Sequence, residues 1–401
     1  MKKKLPEDSL HSLKTYKKLV VITSRFPFPL EKGDKLRAYH QIKELSKHFE
    51  IHLISTSEHK VEEEHIEELR PFCKSIAIFQ ISIFQKVIGA STKMFSRKPI
   101  QVGYFHHYSI QLKINKLLTE IQPDHIYCQL IRAAEYVKNY HDCPKTIDYM
   151  DALSKGLERR SMNAKWLKKY IFESEFKRLM NYENSIFEYF EHHTIISKQD
   201  KQYIFHKNRA EIEIVPNGVD DSFLEIDNAQ PKNVDLVFIG NMSYPPNVTA
   251  AQFIVNEILP LLPTQLKVKI AGSNPAKEVI KLASNQVEIT GYVDDIKNAY
   301  RSAEIFIAPM FLGTGLQNKL LESMALGVPC ITTSMANNAL GATPEKEILI
   351  ADSAEEFAFQ IKRLTENPQL KQEIIENGRS FIVKNYEWSK VTDKLVQLIK
   401  D

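Results

Sequence analysis

The chain has 401 residues, 43% hydrophobic and 26% charged, the balance of a folded globular protein rather than a disordered or fibrous one. It is too long for one typical core, so two domains are expected. The formal net charge is only +3, which gives no electrostatic reason to expect nucleic acid as a partner.

Residues 1–18 form a basic tail carrying Lys2, Lys3, Lys4, Lys14, Lys17 and Lys18. Leu5-Pro6-Glu7-Asp8 follows the first lysines where a signal peptide needs an apolar core, so no leader is expected. No window approaches the ~18–20 apolar residues of a membrane span. Cys73, Cys128, Cys143 and Cys330 are widely spaced without a Cys-x-x-Cys pair, which fits free thiols in a reducing cytosol.

The β-branched run 19–23 reads as a buried parallel strand. A proline-marked loop (Phe26 to Pro29) and Gly33-Asp34 follow, with Asp34 as the expected helix N-cap. Leu36, Tyr39, Ile42 and Leu45 then recur at helical spacing, and 51–55 is the next strand. Further strands are expected at 75–83, 125–128, 146–149 and 193–197, with helices between them. Residues 153–190 read as one or two amphipathic helices, basic at first and acidic later, with a membrane-facing or acceptor-facing surface as the sharper alternative. Pro216-Asn217-Gly218-Val219-Asp220 is a turn, and 219–233 has linker composition. A second alternation has strands at 234–240, 266–271, 287–290, 305–308, 330–333 and 348–350. The last helix, 388–400, places Val391, Leu395 and Leu398 on one face. Alternation of this kind predicts doubly wound parallel sheets in an α/β fold.

The most informative stretch is 310–330. A strand ends at Pro309, the loop Gly313-Thr314-Gly315-Leu316 follows, and a helix opens with Lys319 and Glu322 before Gly327-Val328-Pro329 stops it. Free N–H groups and the dipole at such a helix N-terminus favour a phosphate, and a lysine adds full charge. A plain strand–loop–helix packing unit is the competing reading of the turn chemistry. No Walker A phrase, Gly-x-Gly-x-x-Gly, Asp-x-Asp or metal-spaced His and Cys set occurs in the sequence.

This stretch resembles the donor-site motif of retaining glycosyltransferases of family 4, which have the GT-B fold. Glu322 matches the second of two family glutamates, Thr314 stands where the first would be, and Lys319 lies three residues before Glu322. The resemblance implies two Rossmann-like domains facing a central cleft: an acceptor domain (19–218), a hinge (219–233, opened by Asn217 and Gly218), a donor domain (234–385) and a C-terminal helix (386–401) crossing back. It also implies a nucleotide-diphosphate sugar held by Gly240, Asn241, Gly272, Gly291, Tyr292, Val293, the 313–316 loop, Lys319 and Glu322. Glu322 would accept from the ribose hydroxyls.

The chain departs from the family in several places. Where the family usually carries an arginine and a lysine for the diphosphate, this chain has Asn241 and no following lysine. Lys319 is therefore the expected source of the missing charge. Tyr127, Gln129 and Met150 replace family histidines, and Asp151 matches the family aspartate, making it the best cleft carboxylate. Gly33 is expected beside the acceptor. Arg25 and Arg37 flank that loop and are read either as phosphate ligands or as solvated surface residues; Ser197 matches a serine near the cleft.

The resemblance implies retaining transfer of a sugar to a hydroxyl of a glycan or lipid-linked acceptor, with no cofactor and no metal. The expected setting is cytoplasmic, in cell-surface polysaccharide or glycolipid assembly, with the basic tail against an anionic membrane. A phosphorylase, an epimerase or a non-catalytic nucleotide-binding scaffold of the same fold are the rival readings.

Overall fold

The computed structural model describes residues 16–401 apart from 84, 86–97, 163, 165, 226–231 and 313–314. Among the described residues, thirteen strands form two sheets. In the first, β1 (Lys18–Thr23), β2 (Glu50–Ser57), β3 (Ser75–Gln80), β4 (His125–Gln129), β5 (Lys145–Asp148), β6 (His192–Ile195) and β7 (Glu213–Ile214) lie in the order β3-β2-β1-β4-β5-β6-β7, all parallel. In the second, β8 (Val234–Ile239), β9 (Val268–Ala271), β10 (Val287–Gly291), β11 (Ala303–Ala308), β12 (Cys330–Thr332) and β13 (Leu349–Ile350) lie in the order β10-β9-β8-β11-β12-β13, again parallel.

The central strands are β-branched because helices cover both sheet faces: Leu19 to Ile22 and Leu236 to Ile239 are buried. Strand order reverses between β1 and β4 in one sheet and between β8 and β11 in the other. Ligands of open α/β sheets enter at such reversals, beyond the carboxyl ends of the strands.

Two crossovers join the domains and meet each other. The Val219 amide donates to Tyr386 O at 2.6 Å. The helix Trp388–Lys400 then packs on the helix Gly33–Leu45, burying Leu395, Val396 and Ile399 with Leu19 and Val21. A Cβ on Gly218 would fall 2.6 Å from the Trp388 backbone nitrogen, so this close approach requires glycine. The Trp388 ring stacks on buried His40, with centroids 4.9 Å apart.

The 153–190 stretch, read as one or two helices, is two: Leu153–Met162 and Trp166–Phe187. Two details differ from the sequence reading. β7 was not expected; it adds two residues to the sheet edge. Asp34 is not the N-cap: the first helix begins at Gly33 after Lys32, and Asp34 sits in its first turn paired with Arg25. All four cysteines are free.

Candidate active site

The second sheet offers a half-site at the ends of β8, β9 and β11. Gly240 and Gly272 end β8 and β9 back to back. A Cβ on Gly272, where φ is +140°, would lie 1.8 Å from Gly240 O. Beneath Gly240 lies the ammonium of Lys319, 3.1 Å from where a Gly240 Cβ would be. Lys319 Nζ donates to Asn247 Oδ1 at 2.6 Å and sits 4.7 Å from the centroid of the Phe238 ring. Asn247 Nδ2 in turn donates to Asn241 O at 2.9 Å. Burial in this apolar setting pushes the Lys319 pKa down to about 7, against a smaller upward pull from Glu322.

Glu322 lies one turn along the helix Asn318–Ala325 and accepts from the hydroxyl of fully buried Tyr300 at 2.7 Å. Burial raises its pKa, with Tyr300 and Lys319 opposing. Asn241 is exposed and accepts from the Ser243 amide and hydroxyl at 2.9 and 2.7 Å, so it shapes its own loop. Gly291 has φ +68° at the end of β10, Tyr292 is 70% exposed, and Val293 packs partly into the core. Leu316 is buried in the second core; Gly313 and Thr314 lie outside the described residues.

The first domain faces this half-site with the ends of β1, β4, β5 and β6. Leu130 and Met150, just past β4 and β5, hold left-handed backbones (φ 66° and 62°), which non-glycine residues adopt mostly where function or packing demands it. The Met150 Cε would be 3.4 Å from a Cβ on Gly33. Asp151 follows. Its Oδ1 is buried without a hydrogen-bond partner among the described residues. Burial first, then the nearby Asp200 carboxylate, push its pKa up to about 7, while Arg132 pulls the other way. Asp200 accepts from the hydroxyl of Ser197, which caps its helix, and its Oδ2 would lie 3.7 Å from a Cβ on Gly315. The first domain thus lies close to Gly315 of the second.

Arg37 is not the solvated surface residue that was one reading of it, and both Arg25 and Arg37 are ion-paired. Arg25 is held by Asp34 at 2.8 Å and Glu58 at 3.5 Å. Arg37 is fully buried, with Nε and Nη2 donating to Asp148 at 2.6 and 3.1 Å and Nη1 donating to Asn217 Oδ1 at 3.0 Å. Asn217 Nδ2 then donates to Asn318 Oδ1 at 3.0 Å, at the first residue of the helix Asn318–Ala325. One hydrogen-bonded chain therefore runs from β5 through the hinge to the residue next to Lys319.

Comparison with known proteins agrees with this geometry. Residues 233–367 match the profile of the family described as "Glycosyl transferases group 1". An "Uncharacterized 44.6 kDa protein in cps region" of Klebsiella pneumoniae is 25% identical, over 93% of this chain and 97% of its own. Sucrose-phosphate synthase from Thermosynechococcus elongatus superposes with a TM-score of 0.72 at 12% identity, covering 96% of this chain and 98% of its own. Anabaena Alr3699/HepE, solved with UDP and glucose, gives 0.68 at 12%, covering 96% and 100%. The fold is GT-B. The family match in the second domain and this fold together support a GT-B glycosyltransferase.

Within the GT-B frame, several site residues escaped the sequence reading. Tyr300 carries no signal: it lies on another helix, 22 positions from Glu322. Asn247 lies in the first turn of the helix Pro245–Phe253, six residues after Asn241, but only the fold shows it meeting Lys319. Asp200 was readable, since Ser197 three residues earlier is a standard N-cap. Tyr127 and Gln129, at the family's histidine positions, serve the scaffold: the Tyr127 hydroxyl lies 2.9 Å from Asp148, and Gln129 donates to Asp34 O at 2.9 Å.

Proposed function

We propose that this protein is a retaining glycosyltransferase that moves a sugar from a nucleotide-diphosphate donor to a hydroxyl of a glycan or lipid-linked acceptor. The observation that carries this reading is Lys319, drawn under Gly240 and tied through Asn247 to the loop that lacks the usual cations. There it faces the place where a diphosphate meets a helix N-terminus. Glu322, steadied by Tyr300, is left to take the ribose hydroxyls. HepE was solved with UDP, which makes uridine donors the first to try.

In the reaction the bond from the anomeric carbon to the diphosphate breaks, and a bond to the acceptor oxygen forms on the same face. The acceptor proton passes to the departing phosphate oxygen. Lys319 and the helix N-terminus stabilise the leaving charge, with no metal or cofactor assigned a step. Asp151 positions the acceptor hydroxyl, and Gly33 leaves it room. The relative's cps region supports a place in polysaccharide assembly. No helix among the described residues is long and apolar enough to cross a membrane.

Thermal unfolding across a panel of nucleotide-diphosphate sugars, with and without chelator, tests this. A donor at 100 times its dissociation constant stabilises by ~2.7 kcal/mol. One nucleotide series standing out, insensitive to chelator and lost in Glu322→Ala, is expected. Silence across the panel, together with no donor turnover in the presence of membrane extract, overturns the transferase reading in favour of a scaffold.

A further inference from the structure

Arg132 lies two residues beyond Leu130, whose left-handed backbone turns the chain past the carboxyl end of β4. It is partly buried. Its Nε and Nη2 both donate to a single neutral oxygen, Gln101 Oε1, at 3.1 and 2.8 Å. Those two groups make up the side edge of the guanidinium. The end-on edge, one N–H from Nη1 and one from Nη2, has no partner among the described residues, and Nη1 is open to solvent rather than buried. The nearby arginines are held differently: Arg25 faces Asp34 and Glu58, and Arg37 faces Asp148. Arg132 makes no ion pair among the described residues.

A second cation lies close by. Arg25 and Arg132 rest against the same buried ring, that of Phe105, with their guanidinium carbons 5.4 and 5.5 Å from its centroid. Burial first, then Arg25, lower the Arg132 pKa, while Asp34, Asp151 and Glu58 pull it up from beyond contact. A partly buried charge whose hydrogen bonds go to a neutral amide is costly to keep, and such breaches of local rules gather at functional sites. The place fits a ligand. Arg25 follows β1, Glu58 follows β2, Arg132 follows β4 and Asp151 follows β5, so the cluster lies beyond the carboxyl ends of the strands, at the reversal of strand order. It belongs to the domain opposite Lys319.

We propose that Arg132 binds an oxyanion of the acceptor, the carboxylate of an acidic sugar or a phosphoryl group, beside the hydroxyl that receives the sugar. The word acceptor rests on the transferase reading above; the anion site itself does not. Two parallel N–H groups on the end-on edge match the two oxygens of a carboxylate or phosphoryl group, a fit that a lysine cannot reproduce. Gln101 holds the side edge, so the free edge has one orientation before the ligand arrives. A neutral glycan would leave the guanidinium unpaired in a partly dry cleft. Arg132 therefore selects against neutral acceptors as well as for charged ones.

Binding of methyl glucuronide, glycerol phosphate and neutral methyl glucoside to the full chain, followed by ligand-observed NMR titration, tests the site without any sugar donor. At least one of the two anions is expected to bind about tenfold or more tighter than the glucoside, the effect of a hydrogen-bonded charge pair. The tighter of the two tells an acidic sugar from a phosphorylated acceptor. Arg132→Gln removes the preference, and Arg132→Lys keeps part of it as a point charge without the fork. Unchanged melting temperatures confirm folding, and the comparison of probes on the unaltered chain stands even where a variant does not fold. Equal affinity for charged and neutral probes, no binding of either anion, or a full preference in Arg132→Gln would each overturn the proposal. So would displacement of the bound anion by UDP, which would assign the cation to the donor diphosphate. A silent donor panel beside an intact anion preference would strike the transferase reading alone.

Discussion

On the proposed reading, Lys319 makes donor binding a proton-linked event. With burial pushing its pKa down to about 7, about half the molecules carry a neutral amine at neutral pH before the donor binds. A diphosphate beside Nζ favours the ammonium, so the pKa rises on binding and a proton is taken up. The sign follows: affinity is highest below the free pKa and falls as pH climbs above it. If the neutral form does not bind, affinity drops roughly tenfold between about pH 6 and pH 8, or about 1.4 kcal/mol. A nucleotide-diphosphate sugar is the right probe, because its diphosphate does not itself titrate in that range. Calorimetry at pH 7 in two buffers of different ionisation enthalpy reads the uptake directly, and about half a proton is expected. Lys319→Arg flattens the profile while keeping affinity, and Lys319→Met flattens it at low affinity. A wild-type affinity that is level from pH 6 to 8, with no proton uptake, would refute the reasoning.

Asp151→Asn stabilises the fold at pH 8, because the folded pKa of about 7 exceeds the ordinary 3.8 and ionisation is therefore disfavoured in the folded state. The gain is at most about 4 kcal/mol and falls to less than half by pH 5, where the folded carboxyl is already protonated; equal gains at both pH values in denaturant melts would contradict this. Tyr300→Phe removes a charge-assisted hydrogen bond from Glu322 and raises the donor dissociation constant about tenfold with the fold intact; an unchanged value separates Glu322 from the nucleotide. Arg37→Met strands the buried Asp148 charge and costs about 3–5 kcal/mol in equilibrium unfolding, so a loss under about 1 kcal/mol would show that the pair does not organise the first domain.

Much of the architecture is legible in the sequence because parallel strands buried on both faces appear as β-branched runs, as in 19–23 and 234–239. β7 is not legible: two residues, Glu213 and Ile214, carry no period. Residue roles that depend on distant partners are also hidden. Arg37 reads as one more basic residue on a helix, since its partner Asp148 is 111 positions away. Asn217 reads as a turn former, and nothing local shows that it joins Arg37 to Asn318. The deficit of cations at Asn241 is visible from the motif, and it draws the eye to Lys319. The contact that brings Lys319 to that loop, through Asn247, exists only in three dimensions.

On the proposed reading, the two perturbed groups of the cleft respond to the donor in the same direction. Lys319 and Asp151 belong to different domains, and burial disfavours the charged form of each near neutral pH. The diphosphate brings negative charge, which favours ammonium at Lys319 and further disfavours carboxylate at Asp151. Asp151 therefore meets the acceptor as a neutral acid that donates a hydrogen bond. It is then poorly suited to act as a base, which leaves the departing phosphate as the oxygen with affinity for the acceptor proton. An amide also donates a hydrogen bond from that position, so Asp151→Asn keeps most of the turnover that Asp151→Ala loses. Equal, large losses in both variants would mean that the carboxylate itself takes the proton, and the retaining scheme without a protein base would have to be abandoned.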